Sequence, residues 1–245
     1  GAYSWGAYGI HPYVLLNYQG TLDHVFTLAH EMGHALHSYY SDSNQSYINA
    51  GYKIFVAEVA STCNESLLIH YLLKNTDNKA EKAYLINHFL EQFKGTLYRQ
   101  TMFAEFEKIT HKMVEEGETL TSDILCKVYY DLNKQYFGED MVLDEEIALE
   151  WARIPHFYNP FYVYQYATGI SAAIALSKKI MEQGEAGVKD YMKFLTGGGS
   201  KDPIDLLKLA GVDMTTKEPI EKALELFKEL LDQMEQSFLS IDTNA

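Results

Sequence analysis

The sequence predicts a mainly α-helical fold with one short strand ahead of its first helix. Three observations carry that expectation. Apolar residues recur at helical spacing from Thr21 onward, a single aromatic and aliphatic run near the start reads as β, and 47% of the 245 residues are hydrophobic. A chain of that length and composition buries a substantial core, as one compact domain or a large part of one.

Taken in order, the elements begin with Tyr13-Val14-Leu15-Leu16-Asn17-Tyr18, which follows Pro12, stops at Gln19-Gly20 and reads as the strand. Helices are expected near residues 22–40, 54–74, 78–93, 96–116, 122–136, 144–153, 162–183, 186–195, 203–210 and 218–240. Asn78 with Glu81 resembles a capping box, Asp202-Pro203 and Glu218-Pro219 open helices, and Gly211 closes one. Gly197-Gly198-Gly199 reads as a mobile loop rather than a phosphate cradle, because no Lys-Ser or Lys-Thr pair opens a helix behind it. The last helix mixes Glu, Lys and Leu as an ordinary solvated amphipathic helix does. The chain opens without Met on Gly1-Ala2-Tyr3-Ser4-Trp5-Gly6, which reads like the inside of a domain and predicts a fragment or processed product.

Charge and cysteine content narrow the partners. Twenty basic residues against 34 acidic ones give a formal charge of -14, which repels nucleic-acid phosphates and anionic membrane surfaces. The longest mainly apolar stretch, Ile170 to Leu176, is far too short to cross a bilayer. Cys63 and Cys126 form neither a disulfide framework nor a thiolate metal site, which fits a reducing, cytoplasmic setting.

Chemistry concentrates in Ala29-His30-Glu31-Met32-Gly33-His34. On a helix the two histidines, four residues apart, put both imidazoles on one face at neighbouring turns, which is metal-chelating geometry. Glu31 projects beside them, placed to act as general base on the attacking water. The bland alternative is a His-rich helix facing the core. A strand just upstream, a Gly-Thr turn into the helix and an acidic helix downstream favour the metal site.

Catalytic zinc usually takes three protein ligands, so a third is needed. The metzincin solution requires a Gly and a further His after His34, where Leu36, His37 and Tyr40 stand instead. His37 lies seven residues after His30, roughly 10 Å along the axis at 1.5 Å per residue, too far to share the ion; it reads as supporting or packing. Downstream, the apolar run from Phe55 to Glu65 carries Glu58 and Glu65 seven residues apart on one face. A buried acid is costly unless paired or metal-bound, so Glu58 reads as the third ligand and Glu65 as a group that orients a ligand imidazole. The alternative is a partly exposed face with ordinary acids.

These motifs resemble the oligoendopeptidase F family of zinc peptidases, with thimet oligopeptidase and neurolysin more distant. The match rests on Pro12 to Tyr18, on Gly20-Thr21-Leu22-Asp23 leading into the HExGHxxH helix, and on Ala57-Glu58-Val59-Ala60-Ser61. It continues through Ile154-Pro155-His156-Phe157-Tyr158 and Phe161 to Ala167, so it covers nearly all the chain. The resemblance implies a helical zincin-like catalytic domain over 1–245, with strand and zinc-binding helices in 1–75 and a helical part in 76–245 that carries the His156 segment. It implies one Zn2+ on His30, His34 and Glu58, water activation by Glu31, and transition-state stabilisation by His156 with nearby tyrosines. Tyr162 and Tyr166, four apart, would share a helix face and are favoured over Tyr164; the alternative is an aromatic packing cluster.

Family members are much longer, so the N-terminal helices that would form the opposite wall of the substrate channel are absent here. The expected activity is zinc-dependent endopeptidase cleavage of short peptides, folded proteins being excluded by the channel. Two other readings stand beside it: a zinc carboxypeptidase of similar helical fold, and an inactive fragment that binds zinc or peptide.

Overall fold

The structure, a computed structural model, describes residues 1–242, with side chains described through residue 237. Two strands, β1 (Ala2–Trp5) and β2 (Tyr13–Leu16), pair antiparallel in the register Ala2↔Leu16, Tyr3↔Leu15, Ser4↔Val14 and Trp5↔Tyr13. The expected lone strand is therefore one half of a hairpin. Four residues of Ala-Tyr-Ser-Trp are too short to announce a strand by pattern, and only the ladder to β2 makes them one. β2 also stops at Leu16, not Tyr18, because its partner begins at Ala2; the last contact is Asn17 N–H to Gly1 O at 3.2 Å.

Helix α1 (Leu22–Asn44) starts at Thr21, whose hydroxyl accepts the His24 N–H and so satisfies one of the free donors of the first turn. It runs four residues beyond the expected end. After the short α2 (Tyr47–Ala50), α3 (Ile54–Asn75) packs along α1. Asn78 caps α4 (Lys79–Gln92) through Oδ1, which accepts from Ala80 N and Glu81 N, while Glu81 accepts from Thr76 and from the Asn78 amide. It is therefore a looser version of the expected box.

Two compact units divide the chain: residues 1–92 with 168–245, and residues 93–167. The 76–245 part named from the sequence draws on both. In the first unit the core joins Val56, Val59, Ala60 and Cys63 of α3 to Ala172, Ala173 and Leu176 of α7 (Tyr164–Gln183). Phe194 of α8 (Glu185–Leu195) and Leu206 and Leu207 of α9 (Pro203–Leu209) complete it, and α10 (Glu218–Asp242) packs on α4. The Gly197-Gly198-Gly199 turn is not a loose loop. The Gly199 N–H donates to Asn49 O at 2.7 Å, and a Cβ on Gly198 or Gly199 would run into the carbonyls of Asn49 or Gly51. Glycine serves there to let two backbones touch.

The second unit begins with a π-helical turn, Phe93–Tyr98, that leads into α5 (Arg99–Glu115) where the sequence predicts two separate helix ends. Its core packs Phe103 and Phe106 against Tyr129 of α6 (Ser122–Phe137), Phe106 edge-on, with Trp151 and Phe157 around them. Residues 145–153 form a 3-10 helix, not the expected α-helix. Two features go with that tighter winding. Pro155 disfavours α geometry at Ile154, and Glu150 is drawn inward to accept from Arg99, Arg153 and Tyr129 at 2.5–2.6 Å.

The contact that positions the metal-binding candidates is the crossing of α1 and α3. A Cβ added at Gly33 would lie 2.5 Å from Ser61 Cα and 2.8 Å from Ala60 O, so no side chain fits between the helices. Gly33→Ala is therefore expected to force the helices apart and to cost about 2 kcal/mol or more, read as a lowered Tm, because the obstructing atoms are backbone. An unchanged Tm would mean that the crossing has slack.

Candidate metal centre

Residues 30 and 34 stand one turn apart on α1, and Glu58 faces them from α3 across the Gly33–Ser61 contact. His30 Nε2 lies 3.1 Å from His34 Nε2 and 3.2 Å from Glu58 Oε2, and His34 Nε2 lies 3.5 Å from the same oxygen. Among the described residues this is the one three-residue His/Cys/Asp/Glu group whose ligand atoms converge enough for a metal ion. The spacing suits one: ligands about 2.0–2.1 Å from a tetrahedral zinc are about 3.3 Å from each other.

Orientation is fixed from behind. Glu65 Oε1 sits 2.5 Å from His30 Nδ1, and Gln92 Nε2 donates to Glu65 Oε2 at 2.7 Å. With a proton on Nδ1, the lone pair of His30 Nε2 is left to face the centre. Ser61 donates to Glu58 Oε2 at 3.1 Å, and Asn64 Nδ2 donates to Ala29 O at 2.6 Å, tying α3 to the helix turn that carries the histidines.

Electrostatics follow the same arrangement. Burial pushes the His30 imidazole down, but hydrogen bonds to Glu58 and Glu65 outweigh it and hold the ring up at about 10. His34 is held down by burial against the pull of Glu58. Burial raises the Glu58 carboxyl, yet its bond to His30 and the charges of both histidines leave it below the usual carboxylate range. Glu31 is buried on α1, and its charge acts on His34.

His37 is a packing residue. It is fully buried, stacked on Tyr52 at 3.8 Å with rings 6° from parallel, and its ring nitrogens have no hydrogen-bond partner. Burial pushes that ring down to about 3.

In the second unit, His156 stacks on Tyr162 at 5.8 Å between centroids, Tyr166 stands edge-on to both, and the two phenol oxygens are 3.2 Å apart. The turn between His156 and Tyr162 is strained. Phe161 has φ +59°, a left-handed conformation that costs a non-glycine residue, and its N–H donates to Glu107 Oε1 at 2.9 Å. Glu107 is buried, which raises its carboxyl above the usual range.

The model of peptidase family M3 matches residues 1–226. The chain belongs to peptidase family M3. This M3 chain is 56% identical to oligopeptidase PepF of Bacillus subtilis over 241 residues, covering 98% of this chain and 36% of that protein. It is 45% identical to the chromosomal oligoendopeptidase F of Lactococcus lactis subsp. cremoris, covering 96% of this chain and 39% of the relative. The chain thus spans under two fifths of the length of these relatives. Among solved structures, oligoendopeptidase-F from Enterococcus faecium superposes with a TM-score of 0.79 at 46% identity, over 89% of this chain and 39% of that one. PZ peptidase A shares the fold, with a TM-score of 0.73 at 20% identity over 96% of this chain and 42% of that one.

Several residues that support the metal-binding candidates or the Phe161 turn have no reading in the sequence pattern. Gly33 and Ser61 matter because two helices touch there, and Gln92 and Glu107 because they bond a partner 27 and 54 residues away. Gly33 alone left a signal, a glycine inside a helix between two histidines, where it costs about 1 kcal/mol without a packing reason.

Proposed function

We propose that this chain is the metal-binding and catalytic part of a zinc-dependent endopeptidase acting on short oligopeptides. The observation that carries the proposal is the convergence of His30, His34 and Glu58 within 3.1–3.5 Å, with buried Glu31 on the same helix. Two nitrogens and one carboxylate oxygen suit zinc among the common divalent ions. A divalent cation held by His30, His34 and Glu58 would supply Lewis acidity and lower the pKa of water toward neutral. Glu31 accepts the proton of the attacking water and returns it to the leaving amine. Glu65, braced by Gln92, keeps His30 in the required tautomer.

His156, Tyr162 and Tyr166 donate hydrogen bonds to the oxyanion of the tetrahedral intermediate, a role supported by their clustering beside the strained Phe161 turn. Tyr166→Phe is expected to lower kcat roughly a hundred- to thousandfold with little change in KM. A raised KM with undiminished kcat would make Tyr166 a packing residue instead. The remaining length of the relatives completes the substrate channel in this reading and keeps folded proteins out. Free thiols at Cys63 and Cys126 accord with a cytoplasmic setting.

The test is cleavage of a quenched peptide amidated at its C-terminus, alongside elemental analysis for zinc. Cleavage with one zinc per chain is expected. A requirement for a free C-terminal carboxylate would favour a carboxypeptidase, and zinc without turnover in the longer protein would favour a binding role.

A further inference from the structure

A cleft of about 630 Å³ opens beside His34, lined along one face of α1 by His34, Ser38 and Asp42. Its walls are aromatic and aliphatic, from Trp5, Tyr8 and Ile10 of the hairpin and Tyr47 and Ile48 of α2. Those walls are preformed. Tyr8 donates to Gln45 O at 2.9 Å and meets Tyr47 edge-on at 5.5 Å, and Tyr52 and Ser38 share a hydrogen bond of 3.0 Å. Among the described residues, Asp42 is the only Asp, Glu, Lys or Arg in the lining. No cation stands within ion-pair distance of it among the described residues, and partial burial raises its carboxyl.

We propose that this cleft is a substrate subsite for a cationic side chain, lysine or arginine, whose alkyl stem lies against Tyr8 and Tyr47 and whose charge meets Asp42. The inference rests on the peptidase reading above and adds a substrate class to it. An unpaired carboxylate among aromatic rings attracts a cation twice, through the charge and through the ring faces, and an apolar wall suits the stem of a basic side chain. The distances agree. Asp42 is eight residues from His34, about 12 Å along the helix, and an extended peptide advances about 3.3 Å per residue. A basic residue two to three positions from the bond over the metal centre reaches Asp42 with its side chain extended.

The experiment compares two N-acetylated peptides that differ at one position, lysine or norleucine, and repeats the pair with free N-termini. Acetylation removes the only other cation that could occupy the subsite. In the full-length protein that carries this chain, kcat/KM for the lysine peptide is expected to exceed that for norleucine roughly tenfold, the value of one charge-assisted hydrogen bond. Asp42→Asn should bring the ratio near one and Asp42→Lys should invert it, with the preference shrinking as salt rises. The same ratios are read by fluorescence anisotropy as equilibrium binding to the Glu31→Gln protein. Absence of cleavage with a Lys preference in binding would overturn the peptidase reading and leave the subsite standing. A wild-type ratio near one in both assays, a preference that Asp42→Lys leaves intact, or one seen only with free N-termini would overturn the subsite.

Discussion

Glu31→Gln is expected to lower peptide turnover by roughly a hundred- to ten-thousandfold while one metal ion stays bound. The amide keeps the size and shape of the carboxylate, so the buried position on α1 is still filled and the histidines on either side of it keep their places. What is lost is an acceptor basic enough to take the proton of water. Glu31 is not among the three converging ligand atoms, so metal content should stay at one equivalent. The measurement is kcat on a quenched peptide together with zinc by elemental analysis. Loss of metal would make Glu31 a ligand or a structural support, and near-normal turnover with zinc retained would move the base elsewhere.

Glu58→Ala should largely abolish stoichiometric zinc. Removing it leaves two imidazoles 3.1 Å apart with no anion to close the set, and an oxygen that also receives the Ser61 hydroxyl disappears from between α1 and α3. Losing a support behind a ligand typically costs 10–100-fold in metal affinity, so Glu65→Gln serves as the scale: Glu58→Ala must exceed it. Zinc affinity by competition with a chromogenic chelator makes the comparison. Equal affinities would mean that another group supplies the third ligand.

Both outcomes depend on a site whose parts differed in how visible they were. The four-residue spacing of His30 and His34 is a property of any helix, and periodicity alone made that segment helical. Glu58 and Glu65 were legible as acids in an apolar run, since such groups need a partner. Gln92 and Glu107 were not, because a polar residue on a helix is unremarkable until its partner is known. The same reason hid β1, which is a strand only through its ladder to Tyr13–Leu16. It also hid the seating of Gly198 and Gly199, whose glycine run reads as looseness until the backbone of residues 49–51 lies against it.

The local and the chemical were readable from the sequence alone: ten helical segments, two histidines placed to chelate with a carboxylate beside them, and an acid in an apolar helix proposed as the third ligand. These follow from backbone periodicity and from the cost of burying charge, neither of which needs a partner in space. Which acid meets which imidazole is settled by the packing of helices in space. That packing set His30 between Glu58 and Glu65, sent His37 into the stack with Tyr52, and left Asp42 facing a cleft beside His34. The first of those outcomes depends on how closely α1 and α3 approach, where a missing Cβ at Gly33 lies against the backbone of Ser61.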